Sequence, residues 1–95
     1  MSEPVVYTPV TVQTVAYTGT AAASAAIGAQ ITVVRVISTT DCWLFFTAAG
    51  TAATNANGIF LPGMSVEYFR VPTSTKVSAV RDATSGSLYL TEMSR

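Results

Sequence analysis

The sequence predicts an all-β fold: a small antiparallel β-sandwich or barrel of jelly-roll type, with about seven strands and an extended N-terminal arm. Three observations predict it. β-Branched residues dominate and helical periodicity is nearly absent. Short apolar runs alternate with Gly, Pro, Asn and Asp turn signals roughly every 8–12 residues, as they do in sandwiches and barrels. The chain has 95 residues, the size of one domain. Residues 1–18 read as the arm or an edge strand, and 19–95 as a single sandwich domain.

Val5 to Thr18 is extended, and Pro4 and Pro9 make its start an arm or an edge rather than a central strand. Alternation points Val10, Val12, Thr14 and Ala16 one way and Thr11, Gln13, Val15 and Tyr17 the other. Thr20 to Ala29 is rich in Ala, but Gly19 and Gly28 bracket a window too short for a stable isolated helix. It reads as a loop or an irregular strand, with one helical turn as the alternative. Gln30 to Ser38 is the strongest strand. It is apolar on both faces, so it should be central or covered on both sides, with Arg35 reaching solvent or a partner.

Thr39-Thr40-Asp41 is a turn, and Cys42 to Thr47 the next strand, with Trp43 and Phe45 opposite Leu44 and Phe46. Ala48 to Gly58 is a loop. Ile59-Phe60-Leu61 is a short strand stopped by the Pro62-Gly63 turn. Strands then follow at Ser65 to Val71, Thr75 to Arg81 and Ser87 to Met93. The aromatic cluster Trp43, Phe45, Phe60 and Phe69 is the expected core, with part of it open to a partner.

Chemistry-bearing residues are scarce. The chain has no His, one Cys, five acidic and five basic residues, and zero net charge. Acid–base and nucleophilic catalysis draws on His, Cys, Lys or close carboxylates, so the sequence predicts no enzyme, no cofactor and no metal. Five dispersed cations make no nucleic-acid surface. Ile31–Ile37 falls far short of the ~20 apolar residues that cross a bilayer. The start, Met1-Ser2-Glu3-Pro4, lacks a signal-peptide pattern, which suggests synthesis in a cytosol-like compartment.

Individual candidates have plain structural readings. Cys42 has no His to activate it and reads as a small buried hydrophobe. Glu67 and Glu92 resemble a glycosidase carboxylate pair superficially, but surface charge or pairing with Arg70 or Arg81 is the default. Asp41, Asn55, Asn57 and Asp82 are turn residues without the dense oxygen spacing of a calcium loop. Tyr68, Phe69 and Arg70 mix aromatics with a cation, as single-strand nucleic-acid platforms do. A core aromatic beside a rim arginine explains them as well. With one Cys and no metal ligands, association is the remaining route by which so small a domain gains stability.

The order of motifs over residues 30–93 carries a resemblance. It begins with Val34-Arg35-Val36 and Thr39-Thr40-Asp41-Cys42-Trp43. An Ala/Thr/Asn loop, Leu61-Pro62-Gly63 and Glu67-Tyr68-Phe69-Arg70-Val71 follow. Lys76-Val77-Ser78-Ala79-Val80 and Gly86-Ser87-Leu88-Tyr89-Leu90-Thr91-Glu92-Met93 close it. In this order the chain resembles a group of small virion structural proteins of tailed bacteriophages, of the capsid cement or decoration type. Relatives often carry Gly at the position of Ser74, and Gly-x-x-Pro where this chain has Gly50-Thr51-Ala52-Ala53.

The resemblance implies a decoration protein on the capsid exterior, made in the bacterial host cytoplasm. Its partners would be the major capsid protein and itself, as a homotrimer first or a homodimer next. The alternatives are another virion component (neck, tail or head fibre) or a receptor- or glycan-binding β module. No catalytic residues carry over. The residues expected at an oligomer or capsid interface are Val5, Tyr7, Val10, Val12, Val15, Tyr17, Arg35, Tyr68 and Arg70.

Overall fold

Alternation along the strands produces two layers. The computed structural model describes residues 7–94, so Met1–Val6 and Arg95 lie outside the described residues. Eight strands form and no helix does among the described residues: β1 (Thr8–Tyr17), β2 (Ala22–Ala23), β3 (Val33–Ser38), β4 (Cys42–Thr47), β5 (Ile59–Leu61), β6 (Val66–Arg70), β7 (Lys76–Arg81) and β8 (Gly86–Ser94). Sheet I has the order β1-β8-β3-β6 and sheet II the order β2-β7-β4-β5. All pairings are antiparallel. Every connection except the β4–β5 hairpin crosses from one sheet to the other, which is jelly-roll wiring.

The Ala-rich stretch resolves as β2 and an irregular extension along β7. Ser24 N donates to Val77 O (2.8 Å) and Ile27 N to Thr75 O (2.8 Å). Helix propensity loses here because β7 offers main-chain partners and small side chains allow close approach. Ser74 adopts a left-handed φ of 62°, a conformation that glycine enters without a Cβ penalty.

The core lies between the sheets. Val15, Tyr17, Val34, Val36, Leu88 and Leu90 of sheet I meet Leu44, Leu61, Val77 and Ala79 of sheet II. The aromatic expectation is corrected. Period two turns Cys42 and Leu44 inward and Trp43 outward, where Trp43 packs on the exposed Phe60 with ring centroids 5.0 Å apart. Phe45 shares that outward side and is half-buried. Phe69 does pack against the core edge, with Phe46, at 5.1 Å. Aliphatic side chains fill the centre, and the aromatics stand at its margins.

Tyr17 ties the end of β1 to the β3–β4 turn. Its hydroxyl donates to Thr40 O (2.8 Å) and accepts from Thr40 N (3.2 Å). Ser87 N donates to Thr39 Oγ1 (3.0 Å), and Thr40 Oγ1 donates to Thr84 O (2.8 Å). Gly86 sits inside this node. A Cβ there would meet Thr39 Oγ1 and Thr40 Oγ1 at 2.5 Å and the Tyr17 hydroxyl at 2.9 Å. Gly86→Ala should therefore lower stability by about 2 kcal/mol, as overpacking does. A urea denaturation midpoint unchanged from wild type would contradict this account of the node.

Candidate functional site: the outer face of sheet I

β3 is the key to the site. Its sequence is apolar on both sides, and it lies between β8 and β6 as a central strand. Its central position agrees with the expectation; its inner side packs against sheet II, while on its outer side no segment lies over it among the described residues, and Val33 is buried and Arg35 and Ile37 half-buried among neighbouring side chains. On the outer side, cross-strand register builds three rows. Pro9, Met93, Val33 and Arg70 form one; Val12, Thr91, Arg35 and Tyr68 the next; Thr14, Tyr89, Ile37 and Val66 the third. Val12 is 63% exposed, Tyr68 55% and Tyr89 42%.

Strands about 4.8 Å apart, rising about 3.3 Å per residue, give this face an area on the order of 500 Å². That is near the upper end of what monomers leave bare. The rows carry two arginines and no carboxylate, because Glu67 and Glu92 register with Val36 and Val34 on the inner side. The outer face of sheet II is treated differently. The Ala48–Gly58 loop folds over it, buries Ala53 and donates Ala53 N to Ser78 Oγ (3.0 Å).

Of the residues expected at an interface, Val10, Val12, Arg35, Tyr68 and Arg70 fall on or beside this face. Val10 marks a register shift between Pro9 and Thr11, and is 57% exposed. Tyr7 is half-buried just ahead of β1, and Val5 lies outside the described residues. The side chains of Val15 and Tyr17 lie on the opposite side of β1. They are 4% and 1% exposed because their side of β1 faces the core. Val66, Ile37, Tyr89 and Met93 belong to the face but were missed. The signal was available, since they share its parity, but the strand order that aligns the parities was not.

The titratable groups are engaged elsewhere. Glu92 is buried, and its Oε1 accepts from Gly28 N (2.9 Å) while Oε2 accepts from Gln13 Nε2 (3.3 Å). Gln13 Oε1 in turn accepts from Ala25 N (2.9 Å). Glu92 thus clamps the Ala-rich loop, and β3 separates it from the exposed Glu67. Asp41 Oδ1 accepts from Gly63 N (2.7 Å), which ties the β3–β4 turn to the β5–β6 turn, and Asn57 Oδ1 accepts from Thr54 N (2.7 Å), a local turn bond. No cluster of three metal-ligating side chains occurs among the described residues. An open depression of about 350 Å³ lies beside Trp43, Ala53, Arg81 and Asp82, and Trp43 Nε1 donates to Asp82 Oδ1 (3.3 Å).

Comparisons with known protein families, curated proteins and solved structures find no match to this chain.

Cys42 is free and buried. Burial pushes its thiol pKa up and the Asp41 charge adds to this, while the Ser38 and Tyr17 side chains pull it partly back. Ser38 Oγ stands near the thiol without hydrogen-bond geometry and is buried with no hydrogen-bond partner. The raised value means that the unfolded thiol ionises first, at about pH 8.5. The Cys42 contribution to stability is therefore complete below that pH and is lost as pH climbs through the folded value. Denaturation midpoints should fall as pH rises above about 8.5, and Cys42→Ala should flatten that part of the profile. Equal slopes in the two proteins would refute it.

Proposed function

We propose that this chain is a non-catalytic structural module that docks on a larger protein assembly through the outer face of sheet I. The observation that carries the reading is the outer face of sheet I, over which no segment lies among the described residues and which exposes Val12, Val66, Tyr68 and Tyr89. An apolar face of this size, with Arg35 in its middle row and Arg70 at one corner, suits a protein partner, since aromatics and arginine are enriched at such contacts. Low charge and the scarcity of catalytic side chains point the same way.

The more specific reading is a bacteriophage capsid decoration protein on the head exterior, bridging major capsid subunits. It rests on the ordered sequence pattern of residues 30–93. The jelly-roll wiring supports it by analogy, since that architecture recurs in capsid and lectin domains. Many weak copies acting together would give such a module its hold on a shell.

Quantitative mass spectrometry of purified particles tests it. Copies comparable with the shell subunit are expected. A handful of copies moves the protein to the neck or tail, and absence removes the virion reading. In the same assay Tyr68→Glu should reduce occupancy at least tenfold without shifting the melting temperature.

A glycan-binding module is the second reading, favoured by the depression beside Trp43, Arg81 and Asp82. Glycan-dependent quenching of tryptophan fluorescence, lost in Asp82→Ala, is its expected signature. Fluorescence unchanged across a glycan panel excludes this site.

A further inference from the structure

We infer that this protein forms a two-fold symmetric dimer by pairing β1 with β1 of a second copy, joining the two copies of sheet I into one eight-stranded sheet. The four sheet edges of the sandwich are not equivalent. β2 and β5 are edges of two and three residues. β6 carries Glu67 and Arg70 and is bracketed by Pro62 and Pro72. Short strands, charges and prolines are the devices by which natural sheets prevent edge pairing. β1 is an edge strand of ten residues with no charged side chain.

Its N-terminal part is blunted by Pro9 and the irregularity at Val10. The flat remainder, Thr11–Tyr17, pairs with β8 in unbroken register on one side. Among the described residues, no main-chain hydrogen bond to another segment is made on its other side. A long, uncharged edge rich in β-branched residues is a template for another strand.

The second copy fits this edge, and the register follows from the strand itself. An antiparallel pairing that uses the whole flat part must set Thr11 opposite Tyr17. Val12 then faces Ala16, Gln13 faces Val15, and Thr14 meets Thr14 on the two-fold axis. This register preserves parity: outward residues face outward residues, so both inner faces stay level and both outer faces lie on the same side. A slip by one residue would set core-facing side chains opposite solvent-facing ones. The dimer does not depend on what docks on the outer face. It favours the homodimer, the second of the two associations expected from the resemblance, over the homotrimer.

Sedimentation velocity over a concentration series tests the inference on the full chain. Wild type should reach a dimer limit. Thr14 is exposed and outward, so the monomer tolerates Thr14→Lys and Thr14→Glu. Each variant sets like charges directly opposite one another on the axis and should weaken the dimer about fivefold. An equimolar mixture of the two should restore it, because the opposed charges then attract. A chain with both Val12→Lys and Ala16→Lys, mixed with one carrying both Val12→Glu and Ala16→Glu, repeats the complementation at the flanking pairs, should either Thr14 variant fold poorly. A wild type that stays monomeric, a trimer, or a dimer indifferent to these charges would overturn the inference. Particle copy number does not bear on it, so the dimer and the docking role fail separately.

Discussion

The constraint on which this structure depends is the alternation along β8, which is paired on both sides. β1 and β3 both read their register from it. Leu88, Leu90 and Glu92 point inward; Tyr89, Thr91 and Met93 point outward. A slip of one residue would bury Tyr89 and expose both leucines, and β1 and β3 would have to slip with it. The Tyr17–Thr40–Gly86 node prevents this at one end. At the other, the Glu92 carboxylate holds Gly28 and Gln13. A buried carboxylate left unpaired would be costly, so Glu92 specifies this register and disfavours the alternatives.

The same wiring explains why the two sheets differ outside. Jelly-roll connections send nearly every loop across the ends of the sandwich, so a loop covers a sheet face only when it is long. The β4–β5 hairpin is the one connection that stays in its own sheet, and it is long enough to fold back over sheet II. Its small residues, Ala52 and Ala53, lie close to the sheet, and its polar ones make turn bonds. No corresponding segment covers sheet I among the described residues. On the outer side the β3 residues are sheltered only by neighbouring side chains of the sheet, and the exposed apolar surface is carried by Val12, Val66, Tyr68 and Tyr89 around them.

Strand positions were legible in the sequence because the signals are local: β-branched runs, period two, and Gly or Pro between them. The two sides of β1 could be told apart by parity, but which of them faces inward could not, so Val15 and Tyr17 stood with Val10 and Val12 among the expected interface residues although they face the core. What could not be read is which sheet each strand joins. The aromatics show the consequence. Trp43 and Phe45 were given to the core on bulk, yet Cys42 and Leu44, smaller and of opposite parity, fill it. Choosing between the two faces of β4 requires knowing that Leu44 lies against Ala79 and that Trp43 lies beside Phe60. Glu92 was illegible for a related reason. Its partners, Gln13 and Gly28, are remote in sequence and meet it only after three strands have paired.

The few polar groups capable of chemistry are committed to architecture. Glu92 holds a loop, Asp41 and Asn57 fix turns, Asp82 holds the Trp43 indole, and Cys42 fills space. Among the described residues, sheet I leaves unpaired main chain along its long β1 edge and open side chains on its outer face, and the two are geometrically linked. Pairing across the β1 edge at even register sets both outer faces on one side of a continuous sheet, pointing in the same direction. A dimer of that form presents its rows twice to a single flat target. The second contact then forms at the effective concentration set by the first, which raises the occupancy of a repetitive surface without new contacts. A chain with so little charge gains from this arrangement, since strong pairwise electrostatics are not available to it.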